Sequence, residues 1–400
     1  MVLLFLVALV GHTFLWVTTI NRLHGSRVEG RWRDAVTVLA FACLVLIPVG
    51  YALGLARWDW RLTGPEGLAM PWPATAYLGL SCVGAAVAVV GWGRHHVLHQ
   101  PPDGLRYHRT RVIDVAEPAR PAVADDKHHF LVRLPGNEIL QLDLAERGID
   151  VPRLPKALDR LSIAHLSDFH FTGRIGKSYF QEVVRLTNEL NPDLILITGD
   201  LVDRPAYIDW VPETFGRLTS RFGTYFVLGN HDLQVDHRRL RQVLTDSGLV
   251  DLGGRWCEIE IHGERILLAG NELPWFKPAA DLAQLPMPAE GGPLRIALAH
   301  SPDQLRWAQA HGIDLLLAGH THGGQIRIPL IGPIFSPCRH GVKYAWGLYD
   351  APPTLLHVTR GVSGQFPVRM NCPPELVHLV LRVPWQQSDP QDAGSPAVLR

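Results

Sequence analysis

The chain has 400 residues, of which 47% are hydrophobic and 19% are charged, and its 38 Lys and Arg residues balance its 38 Asp and Glu residues. So high a share of apolar residues excludes an intrinsically disordered chain. The zero net charge argues against a nucleic-acid-binding protein that works through bulk positive charge. The five cysteines are scattered along the chain, which indicates neither a disulfide framework nor a Cys-x-x-Cys metal site.

Three long runs without a charged side chain occupy residues 1–21, 35–56 and 71–92. A helix needs about 20 residues to cross roughly 30 Å of hydrocarbon, and each run is long enough. A buried core helix is the alternative, but three such runs separated by short arginine-bearing loops favour membrane spans. The first run has neither a basic start nor a small-x-small cleavage site, so a cleaved signal peptide is not indicated. Residues 1–93 are therefore predicted to form a membrane anchor of three transmembrane helices.

The arginines around these runs predict the orientation of the chain in the membrane. Because positively charged loops tend to stay in the cytoplasm, we expect the first loop and everything after Trp92 to be cytoplasmic and the N-terminus to be outside. The predicted localisation is the inner membrane, crossed several times, with a cytoplasmic soluble part. The first loop contains four arginines, the second contains two and four follow the third run: Arg22, Arg27, Arg31 and Arg33; Arg57 and Arg61; Arg94, Arg106, Arg109 and Arg111.

Residues 94–160 are expected to be a linker that contains a small hairpin. Residues 117–124 are rich in Pro and Ala, as extended linkers are. Residues 128–134 and 138–144 alternate in hydrophobicity, and a Pro-Gly-Asn turn separates them. At the other end of the chain, residues 385–400 are expected to be a disordered tail.

A different pattern begins at residue 161 and continues to 384. Short apolar runs, each long enough for a buried strand, alternate with helical stretches, and further strands indicate a second sheet. This alternation predicts an α/β domain made of layered sheets and helices. The predicted strands are residues 161–166, 193–197, 224–228, a hairpin at 255–269, 294–299, 314–318, 344–346, 354–358 and 376–381, and the predicted helices are 178–190, 236–245 and 302–310.

Polar groups that can bind a metal follow five of these strands. Ligands bind beyond the carboxyl ends of the strands in open α/β sheets, so these groups can converge on one crevice. Any one of them alone is more often a solvated turn or a surface histidine, and most of the 20 histidines are expected to have no role in a site. Five such groups, each closing a strand, indicate a site. They are Asp168 and His170; Asp200 and Asp203; Asn230, His231 and Asp232; His300; and His320 and His322.

Together these motifs resemble the complete signature of the calcineurin-like metallophosphoesterases. The resemblance covers residues 161–381 and implies a four-layer α-β-β-α sandwich with two central sheets, preceded here by the three transmembrane helices. Residues 323–325 and 369–376 are similar to the membrane-associated bacterial branch, whereas residues 112–150 match nothing in the family core and their role stays open. The motifs are Asp168-x-His170, Gly199-Asp200-x-x-Asp203, Gly229-Asn230-His231-Asp232, His300 and Gly319-His320-x-His322.

The resemblance implies a centre of two divalent metal ions. Two carboxylates, an amide and four imidazoles suit ions such as manganese, iron or zinc; manganese is the first choice, and magnesium is a further alternative. A hydroxide bridging the ions would attack phosphorus, because bound divalent ions lower the pKa of water from 15.7 toward about 7. By resemblance, Asp168, His170 and His322 hold one ion, Asn230, His300 and His320 hold the other, and Asp200 bridges the two.

The residues beside these ligands are expected to complete the catalytic machinery. In the family pattern His231 is not a ligand but stabilises or protonates the leaving oxygen. Asp203 has the position of a partner that holds the ring of His231 in the useful tautomer. The alternative for Asp203 is a helix N-cap before residues 205–215, and Asp232 is similarly either a partner of the site or a cap.

The leading interpretation is a membrane-anchored hydrolase that cleaves a phosphodiester or pyrophosphate bond. One alternative is a phosphoesterase for soluble nucleotides or phosphoproteins that is merely tethered to the membrane. A non-catalytic membrane sensor is a second alternative, although a degenerate relative would have lost ligands and none of the seven is missing. Transport is not indicated, because the interiors of the three spans contain no acidic or basic residue.

The substrate is predicted only as a class. The membrane-associated branch that the chain resembles includes hydrolases of UDP-2,3-diacylglucosamine, a pyrophosphate-linked lipid, and this is the named candidate. Apolar residues 273–276 and 328–331 flank the metal motifs, where they either accept acyl chains or pack as ordinary loops. The expected partners are the bilayer and a phosphorylated small molecule or lipid, and nucleic acid is not expected.

Overall fold

The computed structural model describes residues 2–26, 28, 30–57, 70–97, 102–115, 129–288 and 292–384. The chain divides into two compact units, one formed by residues 1–101 with 337–341 and the other by the remaining residues. In the first unit, helices α1 (Val2–His24), α2 (Gly30–Arg57) and α3 (Trp72–Val97) cover the three uncharged runs. All three are long and apolar enough to cross a membrane, which confirms that part of the prediction.

A proline in α2 explains why a histidine lies inside the first unit. Pro48 has no amide proton to donate to the carbonyl of Leu44, four residues earlier. Nε2 of His12 in α1 donates to that carbonyl at 3.1 Å. In a neutral imidazole Nδ1 is then the acceptor, and it lies 2.6 Å from the hydroxyl of Tyr77 in α3. The Tyr77 oxygen also accepts from Nε1 of Trp16 at 2.9 Å. One imidazole therefore links all three helices.

A close contact between backbones holds α1 against α3. A Cβ atom on Gly11 would lie 1.6 Å from the carbonyl oxygen of Ser81 and 2.5 Å from the amide nitrogen of Ala85. Only glycine allows the two helices to approach so closely. Small residues at helix contacts are common inside membranes, because van der Waals packing there does much of the work that the hydrophobic effect does in water.

The second unit contains two large mixed sheets. The seven-stranded sheet has the order β1-β2-β15-β3-β4-β5-β6, the six-stranded sheet has the order β13-β14-β10-β9-β8-β7, and β11 pairs with β12. The strands are β1 Leu105–Asp114, β2 Gln141–Asp150, β3 Ser162–Leu166, β4 Leu194–Thr198, β5 Thr224–Val227, β6 Val250–Asp251, β7 Trp256–Ile261, β8 Glu264–Asn271, β9 Leu294–Ala299, β10 Leu315–Ala318, β11 Arg327–Ile328, β12 Gly332–Pro333, β13 Gly347–Ala351, β14 Thr354–Val358 and β15 Glu375–Arg382; the helices are α4 His129–Val132, α5 Lys177–Glu189, α6 His237–Asp246 and α7 Leu305–Ala310.

Three apolar cores separate four layers. Alternate residues of β4 face opposite sides: Ile195 packs with the α5 and α6 side, and Leu196 packs between the sheets. The third core lies between the six-stranded sheet and α7, which contributes Leu305 and Ala308. Strands buried on both faces are apolar at most positions, which is why the sequence shows them as nearly continuous apolar runs. The predicted α-β-β-α sandwich is thus confirmed.

The predicted linker and hairpin between residues 94 and 160 are corrected by the structure. Residues 129–132 form α4, and β2 pairs antiparallel with β1 and parallel with β15, so residues 105–114 and 141–150 belong to the large sheet. Alternating hydrophobicity shows that a segment forms a strand but does not identify its partner, and here the partners are distant. The proposed linker at 117–124 and the tail at 385–400 lie outside the described residues.

Strand β2 also supplies one partner of a buried ion-pair cluster. The guanidinium of Arg147 donates to the carboxylate of Glu375, and both side chains are at most 3% exposed. Glu375 further accepts from the backbone amide of Arg360 at 3.1 Å and from Nε1 of Trp346 at 3.0 Å. Burial alone would raise the pKa of Glu375, but Arg147 and Arg360 have the larger, opposite effect. Its pKa therefore lies well below the usual range. Nη1 of Arg147 also lies 2.6 Å from Nε2 of His357 in β14. The segment without a counterpart in the resemblance therefore helps to hold the two sheets together.

Other predicted elements agree with small shifts. The hairpin at 255–269 is formed by β7 and β8. The predicted helix at 302–310 begins as a 3-10 helix, Pro302–Gln304, and continues as α7. The strand predicted at 344–346 is wrong, because a 3-10 helix occupies Gly341–Tyr344 and β13 begins only at Gly347.

Candidate metal centre and active site

The seven predicted ligands meet where five strands end. Strands β3, β4 and β5 run parallel in one sheet, and β9 and β10 run parallel in the other. Their carboxyl ends carry the loops with the predicted ligands, as expected for a crevice at this edge.

The backbone of these loops is held in an uncommon conformation. Positive φ angles are uncommon in residues other than glycine, and each costs on the order of 1–3 kcal/mol unless the surroundings enforce it. Five of the seven predicted ligands have them: Asp168 (57°), His170 (48°), Asp200 (56°), His320 (70°) and His322 (52°). The ligands themselves, and not only the glycines beside them, therefore adopt the strained geometry.

Asp168, His170 and His322 form the first cluster, with ligand atoms within 4.8 Å of one another. Nε2 of His170 lies 3.2 Å from Nε2 of His322. The Oδ1 atom of Asp168 lies 3.5 Å from the His322 nitrogen and 3.8 Å from the His170 nitrogen. The two imidazole nitrogens and the carboxylate oxygen thus face a common point.

Asp200, His300 and His320 form the second cluster, and their ligand atoms also lie within 4.8 Å of one another. Nε2 of His300 lies 3.2 Å from Oδ2 of Asp200, 3.1 Å from Nδ1 of His320 and 3.1 Å from Oδ1 of Asn230. The same Asp200 oxygen lies 3.6 Å from Nε2 of His170 in the first cluster. Asp200 is therefore shared by both clusters, in the place proposed for a bridging ligand.

The electrostatics of these clusters fit divalent cations. Asp168 and Asp200 are at most 1% exposed, and within the described part of the chain neither forms an ion pair with Lys or Arg. Buried carboxylates without compensating charge are costly. Burial lowers the pKa of His170, yet Asp203, Asp200 and Asp168 outweigh it and raise the pKa to about 9. The pKa of His300 is likewise lowered by burial and raised, mainly by Asp200, to about 9. A field that favours protons on buried imidazoles also favours metal ions, and the O/N donor set suits manganese, iron or zinc.

Asp203 joins two histidines and caps no helix. Its Oδ2 lies 2.9 Å from Nδ1 of His170, and its Oδ1 lies 2.7 Å from Nδ1 of His231. The 3-10 helix that follows, Pro205–Trp210, has Arg204 at its N-cap position and no side-chain cap. The N-cap alternative for Asp203 is therefore wrong. Burial alone would raise the pKa of Asp203, but His170 and His231 have the larger, opposite effect. Its pKa therefore lies below the usual range, and Asp203 is a carboxylate.

His231 lies beside both clusters and remains more open than His170 or His300. Its side chain is 18% exposed, whereas those two are fully buried. Its backbone amide donates to Oδ1 of Asp200 at 2.8 Å. Because its ring also lies within 4.8 Å of ligand atoms of His170 and Asp200, distance alone does not distinguish a ligand from a proton donor.

Asp232 holds two of the ligand-bearing loops together. Its buried carboxylate accepts from the backbone amides of Asp200 (3.0 Å), Leu201 (2.9 Å), Val202 (3.0 Å) and Gly229 (2.8 Å). These amides belong to the turns after β4 and β5. The cap alternative for Asp232 is therefore wrong, and its carboxylate organises the backbone around Asp200.

Arg369 is a functional candidate to which the sequence analysis assigned no role. It is completely buried, and its guanidinium donates to the carbonyls of His322 (2.8 Å), Arg360 (2.8 Å) and Ser363. It thus fixes the backbone of one predicted ligand. An arginine between Val368 and Met370, in an otherwise uncharged stretch, was the only local signal of such a buried role.

Comparisons with known proteins agree with the motifs. The family described as calcineurin-like phosphoesterase matches residues 161–324. Phosphodiesterase YaeI of Escherichia coli (strain K12) is 31% identical over 228 residues, which are 55% of this chain and 81% of that protein. The uncharacterized metallophosphoesterase YkuE of Bacillus subtilis (strain 168) is 29% identical over 253 residues, 60% of this chain and 86% of that protein.

The name of a further relative, from a fish, describes a transmembrane protein. The transmembrane protein with metallophosphoesterase domain of Danio rerio is 31% identical over 258 residues, and the match covers 58% of this chain and 56% of that protein. The chain thus spans only about half the length of this relative. The family predicted from the motifs is confirmed: the chain belongs to the calcineurin-like phosphoesterases and is a metal-dependent hydrolase of phosphoester bonds.

Proposed function

We propose that this protein is a membrane-anchored hydrolase that cleaves a phosphodiester or pyrophosphate bond at a two-metal centre. The observation that carries the proposal is the convergence of seven side chains on two adjacent clusters that share Asp200, with Asn230 reaching the second cluster through its contact with His300. Asp168, His170 and His322 would hold one ion, and Asn230, His300 and His320 the other. When bound, two such ions activate a water molecule as nucleophile at neutral pH and hold the phosphate oxygens.

The protein's own contribution to bond cleavage is proton transfer by His231. Because the Asp203 carboxylate can only accept, Nδ1 of His231 is the donor of their 2.7 Å hydrogen bond. Nε2 is therefore the atom that gains and loses a proton. The protonated ring would donate from Nε2 to the leaving oxygen, and the Asp203 carboxylate would stabilise the imidazolium before the transfer.

A lipid-linked substrate such as UDP-2,3-diacylglucosamine is the specific proposal. The three apolar helices support it, because they keep the enzyme at a surface where lipid-bound phosphate is concentrated. The name of the E. coli relative, a phosphodiesterase, supports a phosphodiester over a monoester. A soluble nucleotide or phosphoprotein is the competing substrate class. We further propose manganese as the ion and a cytoplasmic position for the catalytic unit, the latter from the arginine distribution alone.

The test uses the full-length protein in mixed micelles with Mn²⁺. It compares UDP-2,3-diacylglucosamine with UDP-N-acetylglucosamine, which has the same pyrophosphate but no acyl chains, and with bis(p-nitrophenyl) phosphate. Faster hydrolysis of the lipid than of its soluble counterpart is expected. Equal rates on the two UDP compounds would exclude lipid selectivity, and no hydrolysis of any of the three would refute the proposed function.

A further inference from the structure

A tryptophan closes one side of the proposed metal centre. The ring centroid of Trp275 lies 5.3 Å from that of His300 and 5.0 Å from that of His320. The interplanar angles are 65° and 60°, so the indole crosses both imidazoles without stacking on either. Trp275 as a whole is half-buried.

The loop that carries this tryptophan is anchored by buried polar groups. The Trp275 amide donates to the carbonyl of Glu272 at 3.1 Å. The Glu272 side chain is 1% exposed, accepts from the amide of Leu228 at 2.5 Å and pairs with Arg241 at 2.5 Å. Nε2 of Gln304 donates to the carbonyl of Leu273 at 2.8 Å. The backbone that carries the indole is therefore fixed before any substrate arrives, as a binding surface requires.

The neighbouring residue has a different environment. The ring centroid of Phe276 lies 5.2 Å from that of His237 and 5.3 Å from Cζ of Arg241. Both residues belong to helix α6. The two aromatic residues of the apolar stretch 273–276 thus point to different surroundings, and only Trp275 faces the centre. Its Nε1 donates to no acceptor among the residues that the structure describes.

We propose that Trp275 is the wall of a subsite for a planar ring in the substrate, such as a nucleobase. This inference rests on the proposed function and deepens it. An acyl chain would need a continuous apolar channel, whereas the groups packed around Trp275 here are imidazoles and Phe276 turns away. A rigid indole offers a flat face that stacks on any base, and such stacking contributes enough to change affinity by about tenfold or more.

Two ligands that differ only in the base provide the test. AMP and ribose 5-phosphate share the ribose and the phosphate monoester, so the ratio of their dissociation constants isolates the ring. Calorimetric titration of the Mn²⁺-loaded full-length protein in detergent micelles should show AMP binding at least about tenfold more tightly. The Trp275→Leu variant should bring the ratio near one. The matched control, Phe276→Leu, should leave the ratio as in the wild type.

The manganese content of each variant is measured by mass spectrometry. It distinguishes a role of Trp275 in binding the ligand from a role in supporting the two histidines beside it. If Trp275→Leu loses manganese, Trp275→Phe replaces it in the comparison, because phenylalanine keeps an aromatic contact but offers a smaller face. That variant should retain manganese and show a smaller AMP preference. A wild-type ratio near one, or an undiminished ratio in the variant that retains metal, would overturn the subsite. Failure of the proposed function looks different: neither ligand would bind, and no phosphodiester would be hydrolysed.

Discussion

Asp203 and His231 are joined by a 2.7 Å contact between Oδ1 and Nδ1. The other oxygen of the same carboxylate lies 2.9 Å from Nδ1 of His170. One side chain therefore orients both a proposed metal ligand and the proposed proton donor. With both Nδ1 atoms as donors, the two Nε2 atoms carry the reactive lone pairs, one for a metal ion and one for a proton.

The shared carboxylate should be indispensable for binding metal. Asp200→Asn removes a charge from both clusters, so we expect lower manganese content and loss of nearly all hydrolysis of bis(p-nitrophenyl) phosphate. Metal analysis and steady-state rates measure the two effects. Asp209→Asn, at a side chain that is 77% exposed, is the control and should behave as the wild type. Retention of half the activity in Asp200→Asn would contradict the two-metal assignment.

His231→Gln should separate proton transfer from metal binding. Glutamine cannot supply a proton, so turnover should fall about 10²–10⁴-fold, the usual contribution of general acid catalysis. Manganese content should stay at the wild-type level, because the seven proposed ligands are intact. A variant that loses its metal would show that His231 is itself a ligand.

Stability should depend on the buried pair between Glu375 and Arg147. Glu375→Gln leaves the guanidinium without its carboxylate and should lower the free energy of unfolding by about 3–5 kcal/mol. Because the folded pKa of Glu375 is lowered, its stabilisation is fully present above the unfolded pKa of about 4.3 and is lost as the pH falls below that value. The melting temperatures of wild type and variant should therefore differ by a constant amount above about pH 4.3 and approach each other as the pH falls from there toward the lowered folded pKa.

An exposed pair provides the control for this experiment. Glu189 contacts Arg185 on the surface of α5, with side chains that are 58% and 52% exposed. Glu189→Gln should change the free energy of unfolding by less than about 1 kcal/mol at any pH. A pH-independent difference between the wild type and Glu375→Gln would show that the carboxylate is not the stabilising group.

In the helical unit, His12→Leu should weaken the contact among the three helices. The Leu44 carbonyl loses its donor, and hydrogen bonds between membrane helices contribute about 0.6–1.7 kcal/mol. Maleimide labelling of Cys82, which packs in the core of this unit, should become faster in detergent. Thr19→Val removes a bond within α1 only, to the carbonyl of Leu15, and should leave the labelling rate unchanged. Equal rates in both variants would mean that His12 does not link the helices.

The orientation in the membrane is tested by reporters fused after Arg400. A fluorescent protein that matures only in the cytoplasm should be bright, and alkaline phosphatase, which is active only outside, should be silent, because the Arg-rich segments favour the cytoplasmic side. Strong phosphatase activity at this position would reverse the proposed orientation.

The amino-acid sequence alone was sufficient to predict features that depend on residues adjacent in the chain. The three spans are continuous apolar runs, so length and composition predict them. The strands that precede Asp168, Asp200, Asn230, His300 and His320 are short runs buried on both faces, and each polar group follows its strand within three residues. Because the carboxyl ends of such strands share an edge, residue types and their order were enough to predict a metal-binding site there, and the resemblance of the motifs to a known family implied two ions.

Only the tertiary structure decided the contacts between distant segments. Strand β2 joins the large sheet through β15, more than 200 residues later in the chain, and local alternation contains no trace of that partner. Asp203 could equally cap a helix until two histidines, 33 residues before it and 28 after, were seen at its oxygens. Trp275 and Phe276 are adjacent and equally apolar, yet one faces the proposed metal centre and the other faces α6. A side chain's role depends on what surrounds it in space, and periodicity along the chain specifies the face of an element but not its neighbour.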